Sequence, residues 1–189
     1  MRNAHMPLWF FGLCLSAEAQ QRTVTLFDRL CEDWLLEAQP APIAHRLHVT
    51  LFPIGPCTHP AQGDVADACA AADSIGFSPF DISFDRAINR HGTHIALTAD
   101  KPCDALLAFQ QTLHIALRLA GVPTVRGWTF DPHVTLRYRE NILVDQPVPP
   151  VSWRVDEFVL IKSQQGKTIH NYRRKWSLGG ADAGLTVAA

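Results

Sequence analysis

The chain has 189 residues, 47% of them hydrophobic, and a formal charge of −1 with neutral histidines. That is the composition of a globular protein with a sizeable core. A protein that tracks a long polyanionic duplex carries a clear basic excess, so this balance argues against a long duplex and leaves room for a local contact, such as one strand end.

At the start of the chain, Arg2 precedes an apolar run from Leu8 to Leu15, and Ala17-Glu18-Ala19 resembles a signal-peptide cleavage site. The rival reading is a buried strand that runs into a helix at Ser16. The helical pattern continues unbroken past the cleavage-like triplet, which favours the strand. Ser16 is a suitable N-cap with Glu18 in the first turn. Thr23, Phe27, Leu30, Cys31, Trp34 and Leu35 recur at helical spacing and predict a helix from about Ala17 to Glu37, stopped by Pro40 and Pro42. Leu47 to Phe52 alternates as a strand and is closed by Pro53, Gly55 and Pro56. The small residues from Gln62 to Ala72 suit a short helix.

Phe80 to Ile88 and His94 to Thr98 read as a hairpin about a turn at Asn89 to Gly92. A second long helix is predicted from about Cys103 to Ala120, with Leu106, Leu107, Gln110, Leu113, Leu117 and Ala120 on one stripe, Gly121 as its cap and Pro123 as a stop. A strand at His133 to Tyr138 follows. Then come a Pro-rich connection at Pro147 to Pro150, a strand from Trp153 to Ser163 and a last strand from Tyr172 to Leu178. The expected fold class is α+β with a rough internal duplication. One bilobed domain is expected over residues 1–180, followed by a disordered tail over 181–189.

The duplication carries a repeated tetrapeptide. His48-Val49-Thr50-Leu51 closes the first helix–strand unit, and His133-Val134-Thr135-Leu136 closes the second. Side chains alternate along a strand, so the Val/Leu pair of each motif faces the core and the His/Thr pair faces away from it. Two such strands side by side bring two imidazoles and two hydroxyls together. One neutral histidine can take a proton from water while the other, protonated, gives one to a departing ribose oxygen. The threonine hydroxyls can donate to non-bridging phosphate oxygens. A lone His-x-Thr means little; two identical copies in equivalent settings are far more specific.

These residues resemble the two-histidine phosphoesterases, specifically the RNA 2′,3′-cyclic phosphodiesterase family, also called 2′-5′ RNA ligases. The resemblance spans nearly the whole chain. It rests on Phe10-Phe11-Gly12-Leu13, Arg46-Leu47-His48-Val49-Thr50-Leu51, Asp131-Pro132-His133-Val134-Thr135-Leu136 and the segment Val155 to Ser163. It implies pseudo-duplicated antiparallel sheets with long helices outside and a central V-shaped cleft. It also implies His48 and His133 as the catalytic pair and Thr50 and Thr135 as phosphate ligands. By the same analogy His133 activates water and His48 protonates the leaving 3′ oxygen. Many members carry an arginine five residues after the second histidine, where this chain has Tyr138. Arg137 has the strand parity of His133 and Thr135 and is a candidate replacement.

Arg46 shares the face of His48 and is a candidate phosphate contact. Phe10 or Phe11 is available to stack a base, with Phe11 taken as the candidate and core packing the commoner role for such a ring. Lys162 and Arg173 are candidates for the edge of the cleft. His45, His59, His91, His94, His114 and His170 receive no role. No closely spaced His/Cys set suggests a metal, and no cofactor is expected. Five cysteines without a Cys-x-x-Cys pair read as reduced thiols in a cytoplasmic protein. No stretch approaches the ~20 apolar residues of a membrane span.

The expected activity is metal-independent hydrolysis of an RNA-terminal 2′,3′-cyclic phosphate to a 2′-phosphate by a monomer. The expected partner is an RNA 3′ end or a small nucleotide bearing such a phosphate. Alternatives are small cyclic nucleotides or ADP-ribose cyclic phosphate as substrate, 2′-5′ ligation, or a nucleotide- or RNA-binding module without turnover.

Overall fold

The apolar run near the start of the chain forms strand β1 (Pro7–Cys14), which lies inside the sheet with a partner on each side. The computed structural model describes residues 7–34, 41–55, 62–90, 92–138, 144–164 and 169–179. Helix α1 (Ala17–Asp33) starts at Ser16, whose hydroxyl accepts from the Ala19 amide at 3.2 Å. Its buried stripe is Ala19, Thr23, Leu26, Phe27 and Leu30, a helical face turned to the core. The predicted extension to Glu37 falls, beyond Trp34, outside the described residues.

A single 3-10 turn (Ala44–Arg46) leads into β2 (His48–Ile54), and α2 (Gln62–Asp73) follows. Next come the hairpin β3 (Phe80–Arg90) and β4 (His94–Thr98), helix α3 (Asp104–Leu119) and β5 (Val134–Tyr138). The chain closes with β6 (Asp145–Val155), β7 (Glu157–Gln164) and β8 (Ile169–Ser177). The eight strands form one antiparallel sheet in the order β6-β3-β4-β5-β2-β1-β7-β8.

The duplication is explicit in this order. β1-α1-β2 and β4-α3-β5 are each a strand, a long helix and a second strand that returns antiparallel beside the first. The two returning strands carry the repeated tetrapeptide and meet at the middle of the sheet. They pair at a single position, Val49 opposite Val134. The halves are therefore joined at one point and part on either side of it.

Two expectations need correction. The Pro-rich stretch Pro147 to Pro150 is not a connection but part of β6. β6 is an edge strand, where a missing N–H costs no ladder bond on the open side. The strand expected from Trp153 to Ser163 is two strands, β6 and β7, parted at Asp156, and β8 begins at Ile169.

The core contains Phe11, Phe27, Phe52, Phe84, Phe109 and Phe158, all with under 2% of their surface exposed. Val49, Leu51, Val134 and Leu136 are buried in it, while His48, Thr50, His133 and Thr135 are half-buried. The predicted alternation of both motifs therefore holds. α3 is tied to the back of β2 by the buried Gln110, whose amide donates to the Leu51 carbonyl at 3.3 Å. A second, smaller apolar cluster consists of Phe10, Val159 and Ile161, with Leu8 and Cys14 beside it. Among the described residues Cys14, Cys31, Cys69 and Cys103 form no disulfide. Among the described residues no helix is long and apolar enough to cross a membrane. The expected tail, residues 181–189, lies outside the described residues.

Candidate active site

The Val49–Val134 pair fixes what faces what. Antiparallel neighbours of a paired position oppose one another on one face of the sheet, so His48 lies across from Thr135 and Thr50 across from His133. The four polar side chains of the two motifs thus form one patch, with each histidine opposite the other motif's threonine. His133 is close enough that its charge contributes to the titration of His48.

Both imidazoles are held in the same way. His48 Nδ1 lies 2.7 Å from the Arg46 carbonyl, and His133 Nδ1 lies 2.8 Å from the Asp131 carbonyl. A carbonyl only accepts, so each Nδ1 carries the hydrogen and each Nε2 is left with a lone pair in the neutral ring. In each case the carbonyl belongs to the residue two before the histidine. The local chain therefore sets the tautomer without a second side chain.

The surroundings of the two rings differ. Around His48 stand Phe10, with ring centroids 4.9 Å apart, and His170 of β8, edge-on at 5.1 Å. Phe10 reaches His48 by lying across Gly12: a Cβ at that position would meet the Phe10 ring at 3.4 Å and the Val49 carbonyl at 3.1 Å. The Tyr172 hydroxyl donates to the His45 carbonyl and ties β8 to the 3-10 turn beside the site.

Around His133 stand the ring of His94, 5.4 Å away, and an ion pair between Arg90 and Asp131. Asp131 thus serves twice, its carbonyl accepting from His133 and its carboxylate pairing with a guanidinium whose side chain is only 9% exposed.

Burial pushes His48 down to about 4, with the nearby His133 and Arg46 adding to the effect. Burial also pushes His133 down to about 4, helped by the Arg90 cation. His170 falls to about 3, through burial first and then the neighbouring His48. At neutral pH these imidazoles are therefore neutral. Burial also lowers the affinity of Arg46 for its proton, and its Nε is buried with no hydrogen-bond partner among the described residues. A cation with an idle buried donor is the arrangement an anion would satisfy.

A cavity of about 430 Å³ opens at the junction of the halves. One half contributes Pro42, Ile43, Arg46, His48 and His170; the other contributes Thr135, Arg137 and Tyr138. The structure thus brings His48, Thr135, Arg46 and Arg137 to one cavity and sets Thr50 and His133 beside it on the same sheet face. Phe11 is a correction. It is fully buried, packed on Phe158 and Trp176 in the core, and cannot meet a ligand.

Lys162 and Arg173 stand over the ring of Trp9. Trp9 alternates with Phe10 and so points to the opposite face of the sheet, which removes both cations from the cleft. Sequence reasoning missed His170, His94 and Arg90, since no spacing links them to either motif. His59 and His91 lie outside the described residues. Among the described residues no three His, Cys, Asp or Glu side chains gather into a metal-ligating group.

Paired His-x-Thr motifs thus stand on adjacent central strands, with the half-buried Arg46 beside them. Residues 27–167 match the family model described as the 2′-5′ RNA ligase superfamily. The chain belongs to that superfamily, a group of two-histidine phosphoesterases.

Among solved structures it is similar to Escherichia coli LigT complexed with 3′-AMP, at 22% identity, covering 92% of this chain and 99% of that one, with a TM-score of 0.71. A Thermus thermophilus protein, TT0787, matches at 19% identity over 92% and 99%, with a TM-score of 0.67. The PDE domain of MHV ns2 matches at 16% identity over 83% and 99%, with a TM-score of 0.53. At these identities the likeness is one of fold. No curated protein sequence matches the chain.

Proposed function

We propose that the protein opens 2′,3′-cyclic phosphates at RNA 3′ ends, leaving a 2′-phosphate, without a metal ion. The observation that carries this reading is the matched pair of Nδ1-to-carbonyl hydrogen bonds, which turns both Nε2 atoms to acid–base work on one sheet face. In the proposed step a water oxygen bonds to phosphorus as the P–O3′ bond breaks. His133 Nε2 takes the water proton, and His48 Nε2 gives its proton to the departing 3′ oxygen. Each Nδ1 keeps its hydrogen, donated to the backbone carbonyl, throughout. Thr50 and Thr135 donate to the non-bridging oxygens, and Arg46 Nε, with Arg137, balances the charge of the phosphorane.

The acid must be charged, yet burial favours the neutral form of both imidazoles. The substrate resolves this. A phosphodiester anion beside His48 favours the imidazolium and raises its pKa, so the proton is taken up with the substrate. The cation of Arg90 stands against protonation of His133, which suits the base. The test is incubation with cyclic-phosphate RNA in excess EDTA, with the 2′-phosphate end read by chromatography. Absence of product at every pH from 4 to 8 sinks the proposal.

A second reading keeps the site and changes the substrate to a small cyclic nucleotide. It is favoured by the cavity of about 430 Å³, which lies within the range of single-ligand pockets. It is also favoured by the LigT structures complexed with 3′-AMP, ATP and NADP+. Competition between RNA ends and 2′,3′-cyclic AMP separates the two: the better substrate inhibits turnover of the other at the lower concentration.

A further inference from the structure

The cavity has two chemical ends. The half-buried Arg46, His48, Thr135 and His170 of its lining form the floor, and the exposed Ile43 and Tyr138 form the mouth. Ile43 is 44% exposed and Tyr138 69%, and both rank among the few large apolar side chains that the protein leaves to water. Tyr138 ends β5, three residues past the motif threonine, and its ring is propped by the ring of His94 at 5.8 Å. The same His94 ring lies against His133. One side chain thus supports both a histidine of the acid–base patch and the exposed aromatic ring at the mouth.

Neither ring that the sequence offered for base stacking is free to do it. Phe11 is in the core, and Phe10 is taken up between His48 and His170. Among the described residues, the exposed ring that lines this cavity is Tyr138.

We infer that Tyr138 and Ile43 form a slot for the nucleobase of the nucleotide whose phosphate sits on Arg46, His48 and Thr135. An anion-binding floor and a flat apolar mouth within one cavity suit a ligand that is charged at one end and aromatic at the other. A nucleoside phosphate has that form. A base-free sugar phosphate would fill the floor and leave the apolar mouth wet. Stacking does not read a hydrogen-bond pattern, so the slot ranks bases by ring size, purines ahead of pyrimidines. This rests on the proposed phosphate site but not on turnover.

The test is calorimetric binding of adenosine 2′-phosphate and of methyl ribofuranoside 2-phosphate, which lacks the base, to wild type, Tyr138→Ala and Tyr138→Trp. The exposure of Tyr138 makes both variants compatible with the fold, which a melting curve checks. The expected result is a loss of about tenfold or more for the nucleotide in Tyr138→Ala, at the low end of what one stacked base supplies or above it. The base-free phosphate should be unmoved, and Tyr138→Trp should restore the nucleotide. Equal weakening of both ligands, no weakening of either, or no nucleotide binding by wild type overturns the slot. Base-dependent binding with no turnover of any cyclic phosphate supports the slot and counts against the hydrolytic reading alone.

Discussion

Acid should destabilise this protein through its site histidines, and His48 allows the effect to be isolated. In the folded chain burial holds His48 at about 4, against 6.5 for an ordinary histidine. Between those values the unfolded chain binds a proton that the folded chain refuses. By linkage, stability there rises with pH. The contribution is fully present above about 6.5 and is lost as pH falls toward 4. At ~1.4 kcal/mol per pH unit, the full interval is worth at most about 3.5 kcal/mol.

Part of the drop comes from the charge of His133, so this is a ceiling for His48 alone. Urea unfolding of wild type and His48→Gln at pH 7, 6, 5 and 4.5 reads the difference. Carboxylates titrate in both proteins and cancel in the comparison. Wild type should lose stability faster than the variant below pH 6, by up to ~1.4 kcal/mol per unit. Parallel curves across that interval would show that His48 is as easily protonated in the fold as in the open chain. The account of a desolvated site would then be wrong.

Further expectations follow from the same geometry. His48→Ala and His133→Ala should each lower kcat on a cyclic-phosphate substrate by roughly 10²–10⁴, with thermal melting showing both variants folded. With both free-site imidazoles near 4, kcat/KM should fall by about tenfold per pH unit above ~5 as the charged acid is lost; a rate flat from pH 5 to 8 contradicts the assignment. Gly12→Val should push Phe10 off His48 and press on the Val49 carbonyl. The expected cost is roughly 1–3 kcal/mol in urea unfolding, with kcat also reduced and Gly12→Ala affected less.

The part of the fold set by local pattern was legible in the sequence. Alternation in the two tetrapeptides, the Ser16 cap and the stripe of α1 all follow from short-range rules, and they appear where the pattern puts them. What the sequence hid depends on long-range placement. Pro147, Pro149 and Pro150 look like a loop because proline breaks interior strands; only the sheet order shows that β6 is an edge. Phe10 and Phe11 are indistinguishable by composition, and strand parity alone sends one to His48 and the other to the core. His170 sits far from both motifs in the chain and reaches His48 only because β8 closes over that end of the sheet. Arg90 ends a hairpin arm and gives no sign of its partner Asp131.

The two motifs are identical, but the chemistry asked of them is not. Acid–base catalysis needs one proton donor and one acceptor, which a truly symmetric site supplies only by chance occupancy. The tetrapeptides and their carbonyl tethers are symmetric, so the difference has to come from the residues around them. His48 sits among Phe10, His170 and Arg46, the last with an idle buried donor in the cavity. In the proposed reaction a phosphate bound on Arg46 brings the negative charge that favours a proton on His48. His133 sits beside a guanidinium paired with Asp131, and burial first, then that cation, presses its proton affinity down. The duplicated fold thus provides two equivalent mounts. In the proposed reaction it is the unduplicated side chains, Arg46 and His170 on one side and Arg90 and His94 on the other, that divide the roles.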